Sequence, residues 1–194
     1  MAKPAKFQRD EVIHNAMLLY WEKGFHATSM RTLQDAIDMR PGSIYAEFGS
    51  KEGLYQVTLE HYAEQSVQRL TETVTNAASP LLGLKQFVSD IVVPTDQPTP
   101  SNMCMLAKTV AELTEENSEL LDSARKGLRR IEGEFANVIK AAQDSGEIDP
   151  SRDAQRIGQY VQIQIMGIRT YVRANQCDTH QTKALVDDIF ALFI

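Results

Sequence analysis

The stretch Ser29 to Lys51, SMRTLQDAIDMRPGSIYAEFGSK, leaves little freedom in what it can fold into. Met30, Leu33, Ala36 and Ile37 recur at helical spacing, so one face of a helix of about two turns is buried, and Thr28 or Ser29 stands where an N-cap is needed. Asp38 and Met39 carry a turn. Pro41 then suits the first position of a second helix, because its fixed φ and missing N–H cost nothing there. Ile44 and Phe48, four residues apart, anchor the second helix to the first. Gly42, Ser43, Tyr45 and Ala46 are left facing outward. Two short helices joined by a tight turn, the second with small residues on its open face, form a unit that presents a helix to DNA.

Around this unit, the segment Arg9 to Tyr55 resembles the DNA-binding domain of the TetR family of one-component transcriptional regulators. Gly24-Phe25 after the first helix, Thr28 before the second, the Pro41-Gly42-Ser43-Ile44-Tyr45 core, Phe48 and the opening Ser50-Lys51-Glu52 of the next long helix carry the resemblance. It implies that Tyr45 hydrogen-bonds a phosphate and that Lys51 meets the DNA backbone at the start of the fourth helix. Arg31 and Arg40 flank the ends of the turn, where arginine reaches base edges or phosphates. Thr28, Ser29, Pro41, Gly42 and Ser43 complete the expected DNA-facing set. Two positions depart from the family pattern. Arg40 stands where many relatives have a small hydroxyl or alanine, and Glu47 puts an acid near the end of the reading helix, where it is read as facing solvent. Lys3 and Lys6 either reach a neighbouring groove or phosphate, or form a solvated basic tail.

The net charge of −6 argues against nucleic-acid binding, since neutralising phosphates needs Lys and Arg. Placement matters more than the total: Lys3, Lys6, Arg9, Arg31, Arg40 and Lys51 lie early in the chain, while acids gather at Glu112 to Glu119 and beyond. Asp35, Asp38, Glu47 and Glu52 still leave residues 1–53 near neutrality, which implies modest, salt-sensitive affinity. No apolar run approaches membrane-spanning length and the MAKPAKFQRD start has no apolar signal core, so a soluble, cytoplasmic protein is expected.

The rest of the chain reads as helices, giving an all-α fold of about nine in all: a three-helix head over residues 1–52 and a helical bundle over 53–194 for effector binding and dimerisation. A first helix from Gln8 to Lys23 braces the head, and Ser50 caps a long fourth helix. The proline-rich loop Pro94 to Pro100 precedes a short helix from Met103 to Leu113. Gly146 ends a long amphipathic helix, and Asp149-Pro150 reads as the N-cap and first residue of the next. That helix carries the stripe Ile157, Val161, Ile165, Ile168 and Val172, with Ile163 and Met166 off it; the last helix carries Leu185, Val186, Ile189, Phe190, Leu192 and Phe193. Helices apolar on two faces need two partners. The second is read as the same pair from another subunit, giving a four-helix homodimer seam through Ile157, Val161, Ile165, Ile168, Val172, Leu185, Val186, Ile189, Phe190 and Phe193.

In the body, Cys104 sits in SNMCMLAKTVAEL at the start of a short helix, a placement that favours thiolate, with Lys108 one turn on. The segment resembles that of the N-ethylmaleimide-responsive repressor subgroup, which implies sensing of electrophiles or oxidants; a buried structural thiol is the other reading. Gln162 and Arg169 either line an effector cavity or edge the dimer seam. Dispersed histidines, two distant cysteines and the lack of any catalytic grouping point to no metal site, no cofactor and no enzyme. The expected function is a repressor that binds an inverted-repeat operator in double-stranded DNA as a dimer, released by a small-molecule effector or by modification of Cys104. A helical protein-interaction module without DNA binding is the alternative, which leaves the outward Gly-Ser-Tyr surface unexplained.

Overall fold

The computed structural model describes residues 5–94 and 99–193, with side chains from Arg9 onward. Lys3, the side chain of Lys6 and the middle of the proline-rich loop lie outside the described residues. The elements are α1 (Ala5–Lys23), α2 (Met30–Ile37), α3 (Pro41–Phe48), α4 (Lys51–Asn76), α5 (Pro80–Val92), α6 (Met105–Glu112), a 3-10 turn (Glu115–Asn117), α7 (Ser118–Asp144), α8 (Ala154–Asn175) and α9 (Thr179–Ala191). The all-α reading with nine helices holds among the described residues. No helix there is long and apolar enough to cross a membrane.

Most boundaries follow local chemistry. Ser79 caps α5 by accepting from Leu82 N, with Pro80 inside the first turn. Ser50 Oγ accepts from Gly53 N at 2.9 Å at the start of α4. Gly146 ends α7 with φ +79, and Glu147 N reaches back to Ala142 O at 2.9 Å. Some boundaries differ from the sequence reading: α1 begins at Ala5 and not at Gln8, α6 spans Met105–Glu112 and not Met103 to Leu113, and the start of α8 is displaced. Asp149-Pro150 does not open α8; Asp153 does, accepting from Gln155 N and Arg156 N. Gln143 Nε2 donates to both Asp149 O (3.1 Å) and Arg152 O (2.7 Å), which holds 149–152 as a turn and passes the cap to the second aspartate.

The described chain forms two compact units. One comprises Met1–Glu64 and Cys104–Leu128. Its core includes Ile13, Met17, Tyr20, Phe25, Leu33, Ile44, Tyr55 and Leu106, all buried. Tyr20 meets Tyr55 edge-on with ring centroids 4.6 Å apart, and Phe25 lies 5.0 Å from Tyr55. Burial pushes the Tyr55 phenol up to about 12, and that of Tyr20 further in the same direction.

The other unit comprises Gln65–Met103 and Arg129–Ile194, in which α5 packs on α8 and α9 and α8 packs on α9. Phe87 and Phe135 approach within 6.0 Å in its interior. The stripe assigned above to a dimer seam is consumed here: Ile157, Val161, Ile165, Ile168, Val172, Val186, Ile189, Phe190 and Phe193 are all buried within their own subunit, and Leu185 is half-buried. The two-faced character of α8 is real, with the faces exchanged. Its open side holds Ile163 (59 % exposed), Met166, Thr170 and Tyr171, and that of α9 holds Ala184, Asp188, Ala191 and Leu192. The denser stripe is buried first, against the subunit's own helices, because no partner is needed to cover it.

Candidate nucleic-acid interface

Ser29 is the N-cap of α2. Its Oγ accepts from Thr32 N at 3.1 Å on an extended backbone. Thr28, read from the sequence as DNA-facing, is fully buried, and its hydroxyl donates to Gly24 O at 2.6 Å. A hydroxyl turned inward closes the loop between α1 and α2 and is out of reach of a duplex, so Thr28 shapes the interface from behind. α2 ends at Asp38, which takes the left-handed conformation (φ 50) and donates its N–H to Gln34 O. The chain therefore turns sharply into Arg40, which is extended at the N-cap of α3 with no side-chain capping bond, followed by Pro41 in the first turn.

The second helix is pinned from one side. Leu33, Ile37 and Ile44 are buried, while Arg40, Pro41, Gly42, Ser43, Tyr45 and Ala46 are exposed, Tyr45 by 50 %. Arg31 is exposed on α2. This is one open surface with two guanidinium groups, a hydroxyl and a phenol, and with glycine and alanine between them. Such donors serve phosphate oxygens and base edges, and small residues let the helix sit deep in a groove.

Glu47 is exposed but not bare, since Arg9 Nε donates to its Oε1 at 2.7 Å and the Arg9 guanidinium lies 5.6 Å from the centre of the Phe48 ring. An exposed pair adds little stability. It does place a cation beside the acid at the end of α3. Lys51 is less open than the resemblance implies. Its ammonium donates to Phe25 O at 2.7 Å and lies 4.2 Å from the centre of the Phe25 ring, and burial holds its pKa below the usual lysine value, against the pull of Glu52 and Glu112. An ammonium has three N–H donors, and the Phe25 carbonyl engages one.

Of the residues singled out in the body, two belong to the first unit and two to the second. Cys104 is half-buried and serves as N-cap of α6 without a side-chain capping bond. Lys108 turns away to α1, donating to Trp21 O (3.1 Å) and Glu22 O (2.8 Å). In the other unit, Gln162 Oε1 and Arg169 Nε are buried without a hydrogen-bond partner among the described residues. They lie two turns apart on one side of α8. No grouping of three or more histidine, cysteine or acidic residues fit for a metal occurs among the described residues.

Comparison with known proteins bears on this geometry. The sequence model of bacterial regulatory proteins of the tetR family matches residues 12–58. A second model, the tetracyclin repressor-like C-terminal domain, matches residues 80–186, more than half of the chain. The HTH-type transcriptional repressor ComR of Escherichia coli K12 is 24% identical over 173 residues, which cover 88% of this chain and 82% of ComR. The repressor BdcR of the same strain is 38% identical over 60 residues, 31% of this chain and 30% of BdcR. Among solved structures, a cysteine mutant of the regulator CifR complexed with 26bp double-strand operator DNA superposes with a TM-score of 0.81 at 21% identity, covering all of both chains. Reduced E. coli NemR gives 0.82 at 15% identity, covering 96% of this chain and 98% of NemR. At these identities the structural likeness establishes the fold.

Proposed function

The chain belongs to the TetR family of bacterial regulatory proteins, and from that membership we propose that it is a transcriptional repressor which binds an inverted-repeat operator as a homodimer. The family's members are non-enzymatic transcription regulators. The observation that carries the proposal is the face of α3, which exposes Arg40, Pro41, Gly42, Ser43 and Tyr45 while Ile44 is buried beneath them. Arg31, Ser29 and the remaining N–H groups of Lys51 frame it. Residues 1–52 act as the DNA-binding head and 53–194 as the effector-binding and dimerisation part, working in the cytoplasm where the operator is.

Dimerisation uses the open side of α8 and α9. Ile163, Met166, Thr170 and Tyr171 on α8 are exposed apolar or small-polar positions at helical spacing, and Ala184 and Ala191 on α9 permit close helix approach. Two heads related by the dimer axis meet half-sites about one helical turn apart or slightly more. Release follows when an effector, or modification of Cys104, favours a state with lower affinity for the operator. Gln162 and Arg169 are the polar groups available to a small-molecule effector. The supporting feature is that each has a buried polar atom without a partner, and such atoms favour a ligand or water that pairs them.

The test is a mobility shift on the DNA upstream of the chain's own gene, with Arg40→Ala and Tyr45→Phe combined. Wild type retards that DNA and the double variant binds it at least about tenfold more weakly, the size expected for losing an arginine base contact and a phosphate contact. Equal retardation by both proteins removes α3 as the reader.

A further inference from the structure

α6 belongs to the same compact unit as α1, α2 and α3. Lys108 and Glu112 stand four residues apart on α6, a spacing at which two opposite charges can face each other across one turn. Both side chains are taken up by the backbone of a distant segment instead. Lys108 Nζ donates to Trp21 O at 3.1 Å and Glu22 O at 2.8 Å, among the last carbonyls of α1. Glu112 accepts from the two N–H groups that follow, Phe25 N to Oε2 at 3.2 Å and His26 N to Oε1 at 2.8 Å. Between the two lies Gly24 in the left-handed region (φ +89), where an added Cβ would collide with the Glu112 carboxylate. On the neighbouring side of α6, Thr109 and Tyr55 share a buried hydroxyl contact of 2.6 Å, which ties α6 to the first half of α4.

Charge and backbone polarity match at each point. The C-terminal carbonyls of α1 are the negative end of its dipole and suit an ammonium, while two successive N–H groups beyond a left-handed glycine converge on an anion. The segment gripped in this way, 21–26, leads through buried Thr28 to Ser29, the cap from which α2 starts. We propose that Lys108 and Glu112 are positioning residues for DNA binding: α6 clamps the connection between α1 and α2 and so sets the register in which α2 and α3 present the reading face. The proposal rests on the reading of α3 as the DNA reader. Cys104 caps the same helix one turn before Lys108, so a change at its thiol acts on the clamp through a single turn of α6.

The test uses the full chain and its upstream DNA, with Glu112→Ala, Glu112→Gln and Lys108→Ala measured by fluorescence anisotropy beside the Arg40→Ala/Tyr45→Phe variant. Amide hydrogen exchange is followed in parallel. Glu112→Ala is expected to weaken operator binding by about tenfold and to speed exchange at Phe25 and His26 by a similar factor, leaving α8 and α9 protected as in wild type. Glu112→Gln, whose amide keeps one acceptor oxygen, falls between, and Lys108→Ala resembles Glu112→Ala in affinity. Three results overturn the clamp. One is operator affinity within about twofold of wild type in both alanine variants while the Arg40/Tyr45 variant is weakened. Another is weakened binding with exchange at Phe25 and His26 unchanged. The last is loss of protection throughout the chain in Glu112→Gln as well as Glu112→Ala, which makes the pair a general fold contact. Full affinity in every variant, the Arg40/Tyr45 one included, sinks the α3 reading and the clamp with it.

Discussion

The ammonium of Lys51 lies 2.7 Å from the carbonyl oxygen of Phe25 and 4.2 Å from the centre of its ring. One side chain at the start of α4 thus holds the loop after α1 and still has N–H groups to offer a phosphate. The two duties separate in salt. Lys51→Ala is expected to lower the melting temperature, by about 1 kcal/mol of stability for a part-buried charged hydrogen bond, and to reduce the slope of log affinity against log salt by about one phosphate. A reduced melting temperature with an unchanged slope would leave Lys51 as an anchor alone.

The proposed subunit seam distinguishes two isoleucines two residues apart. Ile163 is exposed and Ile165 is buried, so Ile163→Glu should give a folded monomer, with a circular dichroism spectrum like wild type. Ile165→Ala should instead cost about 2–5 kcal/mol of stability by opening a cavity in the subunit's own core. Sedimentation at micromolar concentration decides the matter. A stable Ile163→Glu dimer would move the seam elsewhere.

Acid should weaken the unit that contains the head. His61 meets His14 edge-on with ring centroids 6.0 Å apart, and burial followed by the His14 charge lowers its pKa from the usual 6.5, while Glu64 and Asp10 act in the opposite direction. The unfolded chain then takes up this proton more readily than the folded one. Stability is therefore intact above 6.5 and falls as pH drops below it through the folded-state pKa. The melting temperature of wild type is expected to decline between neutral pH and the top of the carboxylate range, and His61→Gln should flatten that decline. Matching pH profiles for the two proteins would exclude His61 as the source.

Cys104 caps α6 and is half-buried. Treatment with N-ethylmaleimide or hypochlorite is expected to release wild-type protein from operator DNA, and Cys104→Ser should stay bound under the same treatment. Cys177, half-buried just past the end of α8, provides the control: Cys177→Ser should respond as wild type does. Equal release from Cys104→Ser and wild type rejects the thiol as a sensor.

Much of the local architecture was legible because its causes lie within a few residues of one another. Pro41 in the first turn of α3, Ser50 on α4 and Gly146 after α7 each act through a neighbour at most a few residues away, and each is found where the chain's order of residues puts it; of Thr28 and Ser29, both read as possible caps of α2, Ser29 is the cap. Asp149 shows the limit of that reasoning. The sequence reading made it the cap of α8, but the side chain of Gln143 on the preceding helix holds 149–152 as a turn and leaves the cap to Asp153, four residues on.

The amino-acid sequence by itself determined the helices found among the described residues, the turn between α2 and α3 and the outward face of α3, because helical period and capping are short-range. Tertiary structure alone decided which face of α8 is buried, since Ile163 and Ile165 are equally apolar and only the packing of α5 and α9 separates them. It alone turned Thr28 inward and sent Lys108 and Glu112 to α1 and to the loop beyond it. The physical reason is the same in each case. A side chain's donor, acceptor or apolar surface is defined by its residue type, but its partner is set by whichever backbone or core the fold brings to it, here from as far as 87 residues away along the chain.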